Sequence, residues 1–248
     1  MCGAPRSGTT LLCRALTDFG VGAPDEYFLA EDPAKFPDWG FWEQGPFGDS
    51  DGGMSRGDYL TAVYRLGTSS NGVFGAKIMW HNLPWAVAKF QDMPQFAGLD
   101  RSDILRSAFP RFHALHVTRR DQVRQAVSWA RMTQDGVWVV SETEPASPSG
   151  VPRYDFQLID SLRRLIADAE TGWRRFFGEL GVTPLDIVYE DDLATPHDLA
   201  RTVRAIQKFL RLETRVDAVP PAPRTYRQTD SLNDEWVARY VSDLARRP

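Results

Sequence analysis

Short continuous apolar runs alternate along the chain with longer segments whose apolar residues recur every three or four positions. Val73-Phe74-Gly75-Ala76-Lys77-Ile78-Met79-Trp80, Phe112 to Val117, and Leu185 to Tyr189 are runs of strand length, apolar enough for burial on both faces. Helical spacing appears at Leu11, Leu12, Ala15, Leu16 and Phe19, at Val123, Ala126, Val127 and Ala130, and at Leu199, Val203, Ile206 and Phe209. The longest stripe, Phe156, Ile159, Leu162, Ile166, Ala169, Trp173 and Phe176, predicts a helix of more than about five turns. Strands alternating with helices predict an α/β fold: three layers, α/β/α, around a central parallel sheet.

Two stretches break the pattern. From Ala23 to about Gly57 the chain is rich in Pro, Gly, Asp and Trp without clear periodicity, which predicts an irregular, aromatic-lined segment of the kind that is often functional. Residues 141–152 are rich in Ser, Pro and Glu and read as a mobile surface loop. Neither separates two periodic regions of different composition, and no repeat is visible, so 1–248 is expected to form a single domain. A strand is expected before the first helix, yet few residues precede the loop: either that strand is very short or the sequence starts late.

Composition narrows the function classes. The chain is 42% hydrophobic and 25% charged, with eight Trp and fourteen Phe, enough for a sizeable core. Its net charge of −4 argues against global attraction to nucleic acid or an anionic membrane, so any bound anion is held by local chemistry. Cys2 and Cys13 are too few for a disulfide scaffold, and no metal cluster is expected. No apolar stretch approaches the roughly 18 residues of a spanning helix, and the first residues lack a signal-peptide pattern; a cytoplasmic location is expected.

The candidate chemistry begins at Gly3-Ala4-Pro5-Arg6-Ser7-Gly8-Thr9-Thr10, which has the spacing of a nucleotide phosphate loop. Such a turn converges backbone N–H groups on an anion and adds the positive end of the following helix. The lysine expected after the second glycine of a triphosphatase loop is Thr9 here, and Arg6 supplies the fixed charge instead. This suits a short, metal-free anion such as a 5′-phosphosulfate, although a simple Gly/Ser/Thr helix cap has the same composition. A second cationic pair, Arg119-Arg120, follows the Phe112–Val117 run, where strand ends of an open α/β sheet gather ligands. Ser128 lies nine residues after Arg119, on the next predicted helix, and a guanidinium with such a hydroxyl grips phosphate without a metal.

Loop, arginine and serine together resemble the sulfotransferases that use 3′-phosphoadenosine 5′-phosphosulfate. In that superfamily an Arg and a Ser about eight residues apart hold the 3′-phosphate; Arg119 matches by flanking sequence and Arg120 by spacing, with Arg119 preferred. Val188-Tyr189-Glu190-Asp191-Asp192-Leu193 resembles the strand end whose tyrosine lies near the adenine, and Arg227-Gln228-Thr229-Asp230 resembles the closing loop on the nucleotide. Across nearly the whole chain the sequence is similar to the bacterial trehalose 2-sulfotransferase family. The matching stretches include Pro24-Asp25-Glu26-Tyr27-Phe28, Asn71 to Trp80, Gln125-Ala126-Val127-Ser128-Trp129, Gly172-Trp173 and Asp234-Glu235-Trp236.

The resemblance implies a phosphate-loop-type fold, donor contacts from Arg6, Ser7, Gly8, Thr9, Thr10, Arg119, Ser128, Tyr189, Arg227 and Gln228, no metal, and a homodimer. The implied reaction moves a sulfuryl group to a hydroxyl of a small, carbohydrate-like acceptor and leaves adenosine 3′,5′-bisphosphate. Glu26 is the implied base. His81, in a Lys-x-x-x-His-x-Leu-Pro arrangement similar to the Lys-x-His-Leu-Pro of cytosolic sulfotransferases, is the alternative base, with Lys77 as a contact to the transferring group. Arg6 is expected to stabilise the leaving oxygen. Trp39, Trp42, Trp80 and Trp85 are candidates for an aromatic sugar site, and equally for core packing. The trehalose family carries an acidic residue where this chain has Ala23, so trehalose itself is left unassigned. Two other classes fit the loop: a small-molecule phosphate-loop kinase, and a non-catalytic nucleotide-binding protein on the same fold.

Overall fold

The computed structural model describes residues 1–28, 56–91, 93–137, 150–212 and 231–247. Four parallel strands form the central sheet: β1 (Cys2–Gly3), β2 (Ile78–Met79), β3 (Leu115–Thr118) and β4 (Leu185–Val188), in the order β2-β1-β3-β4. Cys2 and Gly3 pair with Ile78 and Met79 on one side and with His116 and Val117 on the other. β3 and β4 align Leu115 with Leu185 through Thr118 with Val188.

The helices are α1 (Thr9–Asp18), α2 (Arg56–Gly67), α3 (Leu83–Gln91), α4 (Arg101–Ala108), α5 (Gln122–Asp135), α6 (Phe156–Leu180), α7 (Pro196–Phe209) and α8 (Ser231–Ala245). The alternation of β3 shows how they cover the sheet. Leu115 and Val117 join Leu12, Leu16, Val203 and Ile206 of α1 and α7 on one face. His116 points the other way, against Phe177 of α6. There Trp173, Phe176 and Phe177 pack with Leu83, Phe90 and Ile104 of α3 and α4. α6 continues past the sheet, and its Ile159, Leu162 and Ile166 pack with α5 and with Trp236 and Tyr240 of α8. Each such fully buried large side chain contributes roughly 1.5–3 kcal/mol relative to exposure.

The strands are shorter than the apolar runs predict. Of Val73–Trp80 only Ile78–Met79 pairs in the sheet. The preceding backbone is bonded elsewhere: Gly75 donates to the Gly67 carbonyl, and Lys77 to that of Asp25. The last predicted strand ends at Val188, and Tyr189–Leu193 winds into a π-helical turn. The run at Phe112 enters the sheet only at Leu115 and extends to Thr118. The strand before the phosphate loop has two residues, yet it is central. Gly3 permits this, since a Cβ there would lie 2.8 Å from the Val117 carbonyl oxygen. No described helix is long and apolar enough to cross a membrane.

Candidate active site

The C-terminal ends of all four strands open on one side of the sheet, and the chain leaves each of them through a predicted site segment. From β1 it enters the loop Ala4–Gly8. Arg6 sits at φ 65° and Gly8 at φ 97°, left-handed values that turn the backbone sharply into α1. A side chain at Gly8 is excluded twice, by that angle and by the Tyr189 ring 2.6 Å from where a Cβ would stand. α4, α5, α6 and α7 each have a side-chain cap, from Asp100, Asp121, Asp155 and Thr195. α1 has none, and no acidic residue lies in its first turn. Its N-terminal N–H groups face the loop with the positive end of the helix behind them.

Three arginines gather beside the loop. Arg6 donates from Nε to Ser128 Oγ at 3.0 Å. Arg119, buried at the end of β3, reaches the Arg6 carbonyl at 3.4 Å. Its guanidinium lies 4.8 Å over the Tyr189 ring and 3.5 Å from the Glu190 carboxylate. Glu190 also accepts from the Arg120 backbone N–H at 2.9 Å, so one carboxylate orients both the arginine and the start of α5. Arg120 is exposed and pairs with Asp191, which places Arg119 and not Arg120 in the cluster. Burial, with Arg119 and Arg131 adding repulsion, pulls Arg6 down to about 10, still a cation at neutral pH. A concentration of positive charge in buried surroundings is favourable once an anion joins it. The Ser7 hydroxyl is fully buried beside Gly3 and has no hydrogen-bond partner among the described residues.

Arg131 was not anticipated. It stands three residues after Ser128, on the same side of α5, and that spacing was the available signal. Its guanidinium donates to Asn233 Oδ1 at 3.0 Å, while Arg124 pairs with Asp234, so the first turn of α8 docks against the arginine-bearing face of α5.

On the β2 side, Lys77 Nζ lies 2.9 Å from Glu26 Oε1 and donates to Thr10 Oγ1 at 3.2 Å. Burial works against the Lys77 charge; Cys13 once ionised, itself pushed up to about 11, and the Glu26 and Asp25 carboxylates more than offset it and hold the ammonium above its ordinary range. His81 follows in the short turn after β2 and stacks on Trp129, ring centres 6.4 Å apart. Burial lowers it below the usual imidazole value, with Glu26 opposing. Both candidate bases therefore lie on one side of the loop and the arginines on the other, with Ser128 and Trp129 adjacent on α5.

Other expected contacts fall elsewhere. The Trp80 indole packs directly on Gly172 of α6, edge-on to Trp173, so its ring serves the core. Trp85 is 57% exposed on α3. Ala23 donates to the Gly67 carbonyl and accepts from the Tyr27 hydroxyl. Trp39, Trp42, Arg227 and Gln228 lie outside the described residues, as does most of the 23–57 segment and of the 141–152 loop.

A parallel sheet, an uncapped helix behind a glycine loop and a cluster of arginines beside it define the class: an α/β protein of phosphate-loop type. A family model described as Stf0 sulphotransferase matches residues 1–243, and the chain belongs to that sulfotransferase family. It is 30% identical over 266 residues to a trehalose 2-sulfotransferase of Mycolicibacterium smegmatis (strain ATCC 700084 / mc(2)155), covering 97% of this chain and 93% of that one. A trehalose 2-sulfotransferase of Mycobacterium tuberculosis (strain ATCC 35801 / TMC 107 / Erdman) is likewise 30% identical over 268 residues, with the same shares covered.

Proposed function

We propose that this sulfotransferase takes its sulfuryl group from 3′-phosphoadenosine 5′-phosphosulfate and delivers it to a hydroxyl of a small carbohydrate. The observation that carries the donor assignment is the Arg6–Arg119–Ser128 cluster, with Arg119 buried, beside an uncapped phosphate loop. The carbohydrate class rests on the two trehalose 2-sulfotransferases. The donor supplies the sulfuryl group and leaves as adenosine 3′,5′-bisphosphate. Arg119 and Ser128 are assigned to the 3′-phosphate, Tyr189 to the adenine side, and Ser7, Gly8, Thr9 and Thr10 to the 5′-phosphosulfate.

Glu26 is assigned as the base. It accepts the acceptor's hydroxyl proton as that oxygen bonds to sulfur, while the electron pair of the broken S–O bond stays on the 5′-phosphate oxygen. The loop N–H groups stabilise the charge that gathers there, a contribution of about 3–4 kcal/mol in comparable oxyanion sites.

Calorimetric titration with adenosine 3′,5′-bisphosphate in EDTA, against ATP, tests this reading. Micromolar binding of the bisphosphate with little for ATP is expected. Arg119→Ala is expected to weaken the bisphosphate on the order of tenfold or more, the loss of a charge-assisted phosphate contact, and adenosine 5′-phosphosulfate much less. Preference for ATP, or binding only with magnesium, overturns the donor assignment in favour of a kinase.

A further inference from the structure

Arg6, the cation expected at the sulfuryl end, is turned toward Ser128 and the Arg119 side of the loop. The cation that touches the first turn of α1 is Lys77, from the neighbouring strand. Its ammonium is shared between Thr10 and the Glu26 carboxylate. Lys77 is 7% exposed and the Glu26 side chain 18%, so the pair is shielded from the solvent that weakens surface ion pairs. The contact is built into the backbone as well. The Lys77 N–H donates to the Asp25 carbonyl, and the Glu26 N–H to the Asp25 carboxylate, which hold the two side chains in register.

With Oε1 engaged by the Lys77 ammonium, the Glu26 carboxylate has one oxygen fewer to offer an acceptor hydroxyl. Resting on the donor assignment above, we propose that Lys77 is a positioning residue with two alternative partners. In the donor-free chain it latches Glu26; a sulfuryl group on the phosphate loop draws the ammonium toward Thr10 and frees the carboxylate. Base and loop are thereby coupled, and the acceptor hydroxyl meets a competent base only after the loop is filled.

The coupling is read by comparing two ligands that differ in the sulfuryl group, 3′-phosphoadenosine 5′-phosphosulfate and adenosine 3′,5′-bisphosphate, by calorimetry without acceptor. Glu26→Gln releases the ammonium, so it is expected to tighten the sulfuryl-bearing donor several-fold and to leave the bisphosphate within about twofold. Lys77→Met is expected to weaken the donor roughly tenfold with the bisphosphate again nearly unchanged, and Lys77→Arg to recover part of that loss. The double variant Glu26→Gln/Lys77→Met removes both members of the buried pair and is informative even where Lys77→Met alone folds poorly; in it the gain from Glu26→Gln disappears. Equal losses for both ligands, or a gain from Glu26→Gln that survives without Lys77, overturn the latch alone. A wild type that binds neither ligand overturns the donor assignment and the latch with it.

Discussion

At the scale of single residues, the site places two titratable groups of different character near one another. Glu26 is held by Lys77, whereas His81 stacks on Trp129 with its proton affinity reduced by burial. A neutral imidazole and a carboxylate both accept protons, so position decides. Glu26 is tied to the residue that touches the phosphate loop, and His81 lies one step farther along the chain from β2. Glu26→Gln is expected to reduce kcat by about a hundredfold or more, the usual weight of a general base. His81→Ala should act mainly on acceptor KM. Steady-state kinetics with a sugar acceptor check the pair, and the reverse pattern moves the base to His81.

Elements carry the precision of the site. Trp80 leaves β2 and lies flat on α6 because residue 172 has no side chain; a Cβ there would approach the indole Cε2 to 2.2 Å. Gly172→Ala is therefore expected to cost about 1–3 kcal/mol by overpacking, measured by urea unfolding. The cost should shrink when Trp80→Leu is combined with it. The apolar stripes of α6 and α5 were legible because period is a local property of the chain. Strand lengths were not. The apolar run at Val73 looks like sheet until its backbone partners are known, and those partners, Gly67 and Asp25, are remote in sequence. α2, α3, α4 and α8 also escaped the reading. The Leu-Pro pair at the start of α3 was read as part of a motif, although proline is well tolerated in a first helical turn. Arg6, Arg119 and Ser128 were legible as a set, while Arg131 and Glu190 act through neighbours that only the fold supplies.

For the molecule as a whole, pH sensitivity is set beneath the sheet as well as in the site. His116 is buried in β3, with Nδ1 3.0 Å from Asp186 and its ring against Phe177. Burial lowers it below its ordinary 6.5; the hydrogen bond and charge of Asp186 oppose, and Arg174 adds to the depression. The unfolded chain then binds a proton that the folded chain refuses, so this residue's contribution is full above 6.5 and is lost as pH falls toward the depressed folded value. Wild type is expected to lose stability between about pH 7 and pH 5. His116→Gln should lose less over the same range, by urea titration at each pH.

The sheet order carries a consequence for how the chain acquires and keeps its structure. Cys2 meets Ile78 and His116, and Leu115 meets Leu185, so every pairing joins residues far apart in the chain. Closing such long connections costs entropy before any contact rewards it, whereas a helix such as α6 needs only its own neighbours. The central strand β1 has only two residues, both held by partners remote in the chain, and the glycine loop hangs from it. That loop belongs among the late events of folding. A nucleotide gripped there would leave the rate of refolding nearly untouched and act almost wholly as a brake on unfolding.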